Sequence, residues 1–180
     1  IPSSPARAYG LLLSAIADPD PVLFLEPKRI YRLNKEQFEE NRQPQPLDVC
    51  FTLREGSDVT LVSWGASIVE TLAAADQLGQ QGISAEVLDL ATIKPLDMTS
   101  ILDSVAKTGR CVIIHEAART GGVGAEIAAN IAEYSLLDLL APVKRVTGYD
   151  TVVPLARMEH LYLPGVEQIV AAAQQTVEFE

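Results

Sequence analysis

Histidine and cysteine are scarce: two of each among 180 residues. Two imidazoles, His115 and His160, exclude a histidine-rich metal site. Cys50 and Cys111 both sit in apolar, strand-like runs, which reads as two buried free thiols rather than a disulfide or a nucleophile. Basic charge is also short. Fourteen Lys and Arg face 24 Asp and Glu, a net charge of −10 and a pI near 4.6. That excludes nucleic acid as a partner, because phosphate contacts need clustered Lys and Arg. The acidic surface serves solubility or offers a patch to a basic partner domain. No stretch reaches the ~18 apolar residues of a membrane span. No signal peptide is visible, and a chain that opens at Ile1 without Met does not fix its own true N-terminus. There is no internal repeat, no Walker lysine and no proper GxGxxG context.

What is present is globular. Hydrophobic residues make up 48% and charged residues 21%, which suits a soluble, intracellular protein of one domain plus a substantial extra segment. The opening reads as a helix with Ser4 as N-cap, Pro5 in its first turn and an apolar face of Leu12, Leu13 and Ile16. Asp18-Pro19-Asp20-Pro21 stops it. Residues 22–25 read as a short buried strand. One helix and one strand cannot bury each other, so this unit needs a sheet that the chain does not supply. Residues 27–47 are polar, with Asn34, Lys35, Glu36, Glu39, Glu40 and Asn41, and read as a linker between domains.

From Asp48 the pattern is regular. Strands are expected over 49–53, 59–64, 85–90, 111–114 and 143–146. Helices are expected over 66–78, 98–106 (capped by Asp97), 123–140 and 164–177. Such alternation means α/β architecture: a mostly parallel sheet covered on both faces by helices with right-handed crossovers.

In such sheets functional loops follow the carboxyl ends of the strands. Three stand out: Trp64-Gly65, residues 89–95, and His115-Glu116-Ala117 running into Thr120-Gly121-Gly122-Val123-Gly124. The glycine run opens a helix. It either presents N–H groups to an anion or makes a tight turn for close helix–sheet packing. His115 and Glu116 form an acid–base pair, or His115 is held by structural hydrogen bonds; neighbours on a strand point in opposite directions, which weakens the pair. His160 falls in a late loop and reads as surface. Asp18-Pro19-Asp20 offers oxygens at a helix C-terminus, either for a hard cation or simply as a stop signal.

Several ordered strings carry a resemblance. They are Phe24-Leu25-Glu26-Pro27-Lys28-Arg29-Ile30-Tyr31-Arg32, Gly56-Ser57-Asp58-Val59-Thr60-Leu61-Val62-Ser63-Trp64-Gly65, Gly82-Ile83-Ser84-Ala85-Glu86-Val87-Leu88-Asp89-Leu90, His115-Glu116-Ala117 with Thr120-Gly121-Gly122, and Ala141-Pro142-Val143. Across essentially its whole length the chain resembles the C-terminal half of the β subunit of the E1 component of 2-oxoacid dehydrogenase complexes, in the thiamine-diphosphate transketolase superfamily. The resemblance implies an oxidoreductase of the pyruvate or branched-chain type. Such an enzyme decarboxylates a 2-oxoacid on thiamine diphosphate with Mg2+ and passes the acyl group to lipoyl-E2. It further implies three parts: 1–32, the last helix and strand of a pyrimidine-binding domain; 33–47, a linker; and 48–180, a three-layer α/β/α transketolase C-terminal domain.

By the same resemblance the catalytic and cofactor-binding residues lie in a missing N-terminal half, and this chain alone is inactive. Its implied partners are that half, an E1 α subunit, a second β subunit in an α2β2 heterotetramer, and the basic subunit-binding domain of E2, for which Glu178-Phe179-Glu180 is a candidate contact. A structural potassium ion is implied at Ala15, Ile16, Asp18 and Asp20, mostly through backbone carbonyls. The implied location is the bacterial cytoplasm or, in a eukaryote, the mitochondrial matrix. The chain departs from the family at Ala91, at Asp150-Thr151-Val152 and over 43–50, which leaves the choice between pyruvate and branched-chain substrates open. Two alternatives remain: a stand-alone assembly or binding module, and half of a sugar-phosphate enzyme. The second needs phosphate-binding Arg and His, which the linear sequence does not display.

Overall fold

The computed structural model describes residues 1–33, 35–37 and 43–179. The linker residues Asn34, Glu39, Glu40 and Asn41, and the terminal Glu180, lie outside the described residues.

Helix α1 spans Pro5–Ala17. Its start is set as expected: the Ser4 hydroxyl oxygen accepts the Arg7 N–H at 3.2 Å, filling one of the orphan donors of a first turn. Leu11 anchors it inward. Residues 22–25 do not form the expected strand; they belong to no ladder, and Leu23 is 84% exposed. The physical reason is the one that made the unit look incomplete: among the described residues no strand lies beside them to share hydrogen bonds. The far end of the linker is not a free tether. Gln45 lies on α1, with its N–H on the Gly10 carbonyl at 3.0 Å and its carbonyl receiving the Ser14 hydroxyl at 2.5 Å.

The sheet domain contains strands β1 (Phe51–Arg54), β2 (Val59–Ser63), β3 (Ala85–Asp89), β4 (Cys111–Ala118) and β5 (Lys144–Gly148). Their order is β1-β3-β2-β4-β5, with β1 antiparallel to β3 and all other pairs parallel. Helices α2 (Ile68–Gln80) and α3 (Met98–Thr108) connect β2 to β3 and β3 to β4. Helix α4 (Val123–Tyr134) connects β4 to β5, and α5 (Glu159–Tyr162) and α6 (Val166–Val177) follow.

Alternation along the strands builds two cores. Leu61, Val87, Val112 and Ile114 pack with Leu78 of α2 and Ile169 of α6. Val62, Leu88 and Ile113 pack on the other face with Ile101 and Val105 of α3 and Ile127 and Ile131 of α4. Each such Leu or Ile, taken fully from water, stabilises by ~1.5–3 kcal/mol. The second face also carries a satisfied polar knot. The Thr60 hydroxyl meets those of Ser104 at 2.7 Å and Thr108 at 2.8 Å, so its burial leaves nothing unpaired.

Element ends are decided by single residues. Asp97 caps α3 as expected: it accepts the Ser100 N–H at 3.1 Å and also the Cys50 N–H at 2.9 Å, tying the helix to the entry of β1. Gly109, at φ 68°, closes α3 in the left-handed conformation. The helix expected over 123–140 stops at Tyr134. A short 3-10 turn, Leu136–Asp138, follows, and the Leu140 N–H then bonds the Gly109 carbonyl at 2.7 Å. Leu136 and Leu137 extended the apolar pattern that suggested a longer helix, yet Leu137 is 99% exposed. The strand expected over 111–114 runs on to Ala118 through an irregularity between His115 and Ala118, and the strand expected over 143–146 is shifted to Lys144–Gly148. Helix α6 begins at Val166, two residues after Pro164, where the Gly165 N–H bonds the Gln168 side chain at 3.0 Å. Among the described residues no helix is long and apolar enough to cross a membrane.

Candidate functional site

The chain leaves β2 toward β3 on one side and leaves β4 toward β5 on the other. The carboxyl ends of β2 and β4 are therefore the switch point at which open parallel sheets bind ligands. Here that crevice is filled. Trp64, just after β2, stacks on His115 of β4, with ring centroids 5.4 Å apart and planes at 22°. The Cε1–Nε2–Cδ2 edge of the imidazole lies against the start of α4. A Cβ placed on Gly122 or Gly124 would stand 2.6 Å from a His115 ring atom. This resolves the two readings of the glycine run toward close packing, because the absent side chains make room for the imidazole.

His115 is 1% exposed, and among the described residues neither ring nitrogen has a hydrogen-bond partner. The expected structural hydrogen bonds are not there; aromatic stacking and glycine contacts hold the ring instead. Burial pushes its pKa below the ordinary histidine value and the charge of Arg145 adds to that, while the Ala117 backbone opposes both.

Glu116 does not pair with His115. It is bound by Arg29, whose Nη2 reaches Glu116 Oε1 at 3.0 Å and whose Nη1 and Nη2 reach the two oxygens of Glu70 at 2.6 and 3.0 Å. The hydrogen bond to Glu70, more than any other contact, raises the Arg29 pKa, so its charge is fixed. This fork ties the turn Lys28–Ile30 to both α2 and β4. Nothing in the local spacing of the sequence singles out Arg29, since its partners lie 41 and 87 residues away.

Asp89 closes β3 and is fully buried. It accepts the Ser3 hydroxyl at 2.5 Å and the Ala91 N–H at 3.2 Å. Burial raises its pKa, and the Ser3 hydrogen bond and the charge of Arg7 pull the other way. Asp89 thus docks the opening segment onto the sheet rather than facing a substrate. Burial also acts on the thiols, pushing Cys50 and Cys111 up to about 12, which favours the protonated form over the nucleophilic thiolate. His160 lies exposed in α5, away from these groups.

At the C-terminus of α1 the last carbonyls are left open by sequence. The Ala15 and Ala17 carbonyls would be met by the N–H groups of residues 19 and 21, but both are prolines. The Ile16 carbonyl would be met by the Asp20 N–H, which instead bonds the Asp18 carboxylate at 2.9 Å. Asp18 and Asp20 also line a cavity of ≈ 520 Å³ together with Leu23, Leu25, Thr92 and Lys94. Among the described residues no group of three or more His, Cys, Asp or Glu side chains is placed to hold a metal. Any ion at this turn would rest mainly on backbone oxygens.

Comparison with known proteins follows this geometry. Residues 50–169 match the family model "Transketolase, C-terminal domain". Over 179 residues, 99% of the chain, it is 42% identical to proteins of Staphylococcus epidermidis and Bacillus subtilis described as "Pyruvate dehydrogenase E1 component subunit beta", covering 55% of each. A solved structure described as "Split gene transketolase, inactive beta4 tetramer" superposes with a TM-score of 0.76 at 27% identity, over 98% of this chain and 55% of that one. The chain spans about half the length of the curated relatives it matches.

Proposed function

The chain belongs to the transketolase C-terminal domain family, and from that membership we propose that it is the C-terminal part of an E1 β subunit of a 2-oxoacid dehydrogenase complex. The carrying observation is 42% identity that runs over 99% of the chain, beyond the family-model match on both sides. On this reading residues 1–32 end a pyrimidine-binding domain, 33–47 link it, and 48–180 form the assembly domain. The complete enzyme is an oxidoreductase of the bacterial cytoplasm or the mitochondrial matrix. It decarboxylates a 2-oxoacid and passes the acyl group to a lipoyl domain of E2. Its partners are an E1 α subunit, a second β subunit, and the subunit-binding domain of E2.

Thiamine diphosphate supplies the carbanion chemistry of that enzyme, but this chain's residues do not fit it. The one glycine run that could cradle a diphosphate is packed on His115, and among the described residues no group of three or more His, Cys, Asp or Glu side chains is placed to hold a metal. The role left to this chain is to hold and position. Arg29 and Asp89 lock the opening segment to the sheet, and an acidic surface meets a basic partner. A structural potassium ion fits better. Three backbone carbonyls at the end of α1, those of Ala15, Ile16 and Ala17, lack intrahelical donors, and Asp18 and Asp20 add negative charge beside them.

The test is co-expression of the full-length protein with its α chain, followed by thiamine-diphosphate-dependent decarboxylation of pyruvate and of branched-chain 2-oxoacids. The expected result is an α2β2 mass with activity on one class. A full-length protein that binds no α chain and is inert with every 2-oxoacid defeats the reading. Half of a transketolase is the second reading, carried by the 27% identical split-gene structure; the 42% identical relatives rank it below the first.

A further inference from the structure

Two arginines stand together at the outer edge of the sheet. Arg119 directly follows β4, and Arg145 lies in β5, which pairs with β4. The Nη1 of each donates to the backbone carbonyl of the other, at 3.2 Å both ways. This reciprocal pair anchors each guanidinium at the other residue's backbone and leaves their remaining N–H groups without a protein acceptor among the described residues. Both line a cleft of ≈ 380 Å³ with Thr147, Tyr149, Asp150 and Gln168.

The charge in this cleft is not balanced internally. The described ion pairs of basic side chains use Arg29, Arg54 and Lys107, and none uses Arg119 or Arg145. Asp150 is the carboxylate of the cleft. It accepts the Thr120 N–H and hydroxyl, each at 2.8 Å, and these bonds, with a smaller effect of the Arg119 charge, hold its pKa below the ordinary range. One negative charge therefore faces two positive ones. Helix α6 adds Gln168 from its first turn, and with it the partial positive charge of a helix N-terminus. Glu167 in the same turn is exposed and does not line the cleft. In a chain of net charge −10, two guanidiniums that share one carboxylate leave an excess positive charge in the cleft, which an incoming anion would neutralise. Guanidinium forks suit planar carboxylates and phosphates.

We propose that the Arg119–Arg145 cleft, which runs alongside β5 and reaches the residue just after β4, binds a small oxyanion ligand, the carboxylate or phosphate group of a metabolite. The site is independent of the reading given under Proposed function and separate from the crevice filled by Trp64 and His115. The sequence hides it because the two arginines are 26 residues apart.

The experiment uses the full-length protein. Thermal unfolding is followed against inorganic phosphate, malonate and chloride at matched ionic strength. A saturable rise in Tm with phosphate or malonate, and none with chloride, is expected. The stronger of the two identifies the source as a phosphorylated or a carboxylate ligand. Arg119→Gln and Arg145→Gln should each weaken the half-saturating concentration by ~10-fold or more, from the loss of a charge-assisted bond. Arg54→Gln, which removes a pair with Asp76 elsewhere, should leave it unchanged. If the Gln variants fold poorly, Arg119→Lys with Arg145→Lys keeps the charge and removes the forks, and still loses affinity. No response to either anion up to ~20 mM, or an unchanged response in both the Gln and the Lys variants, overturns the proposal.

Discussion

Trp64 and His115, 51 positions apart, stack with centroids 5.4 Å apart at the switch point of the sheet. Their contact decides what the glycines beyond them are for. A methyl group at Gly124 would have to enter the 2.6 Å gap to the imidazole, and a packed interior resists such insertion. Gly124→Ala should therefore destabilise the protein by ~1–3 kcal/mol in denaturant unfolding. In a Gly124→Ala/His115→Ala double variant the penalty attributable to the glycine should shrink. Equal penalties in the two backgrounds would show that the ring is not what the glycine accommodates.

The same burial makes stability depend on pH. The His115 pKa in the folded protein lies below its ordinary value, because burial disfavours the cation, while in the unfolded chain it sits near ~6.5. Below ~6.5 the unfolded chain takes up the proton first, so the contribution of His115 is complete above that pH. It declines as the pH falls from there toward the folded pKa. His115→Phe should lack this component, and Arg145→Gln should raise the His115 pKa, since Arg145 is one of the groups that lower it. NMR titration of the His115 ring checks both. A folded-state pKa at or above ~6.5 contradicts the account.

Much of this fold is legible in sequence because its determinants are local. Ser4 and Asp97 declare helix starts through bonds three residues long, and the short runs of residues 59–63 and 85–89 are buried at every position because both faces of the sheet are covered. The errors have a common physical origin. Residues 22–25 have strand-like composition, but a strand exists only with a neighbour to bond. Leu136 and Leu137 continue an apolar period, but their surroundings leave them in solvent. The site is less legible still. His115 and Glu116 are adjacent in sequence, yet one is claimed by Trp64 and the other by Arg29, contacts made across 51 and 87 positions. Arg119 and Arg145 carry no signal until the sheet pairs them.

Arg29 should behave as a clamp. It is about a quarter exposed, and its bidentate bond to Glu70 is the stronger arm. Arg29→Ala should cost ~1–3 kcal/mol, the range for a charge-assisted hydrogen bond that leaves carboxylates behind. The measurement is hydrogen exchange: amides of residues 28–33 should lose protection while those of α3 keep theirs. Arg29→Lys should recover little, because an ammonium group cannot bridge Glu70 and Glu116 with the same fork. Uniform loss of protection over the whole chain would mean that Arg29 acts through global stability instead.

The prolines after α1 give the potassium proposal a sharp handle. Pro19 denies the Ala15 carbonyl its only intrahelical donor, and Pro21 does the same for Ala17. An ion held by these oxygens stabilises the folded form by mass action. The full-length protein in KCl should therefore unfold at a higher temperature than in choline chloride of the same ionic strength. Pro19→Ala returns an N–H to position 19, which can bond the Ala15 carbonyl and remove it as a ligand. The potassium-dependent rise in Tm should then be smaller, although the substitution lengthens the helix and should itself be tolerated in choline chloride. Asp18→Ala tests the other half of the site. It takes away the acceptor of the Asp20 N–H and a negative charge at the helix end, so it too should reduce the rise. If the rise is absent in the parent protein, or survives both substitutions undiminished, the carbonyl turn is a stop signal for α1 and nothing more.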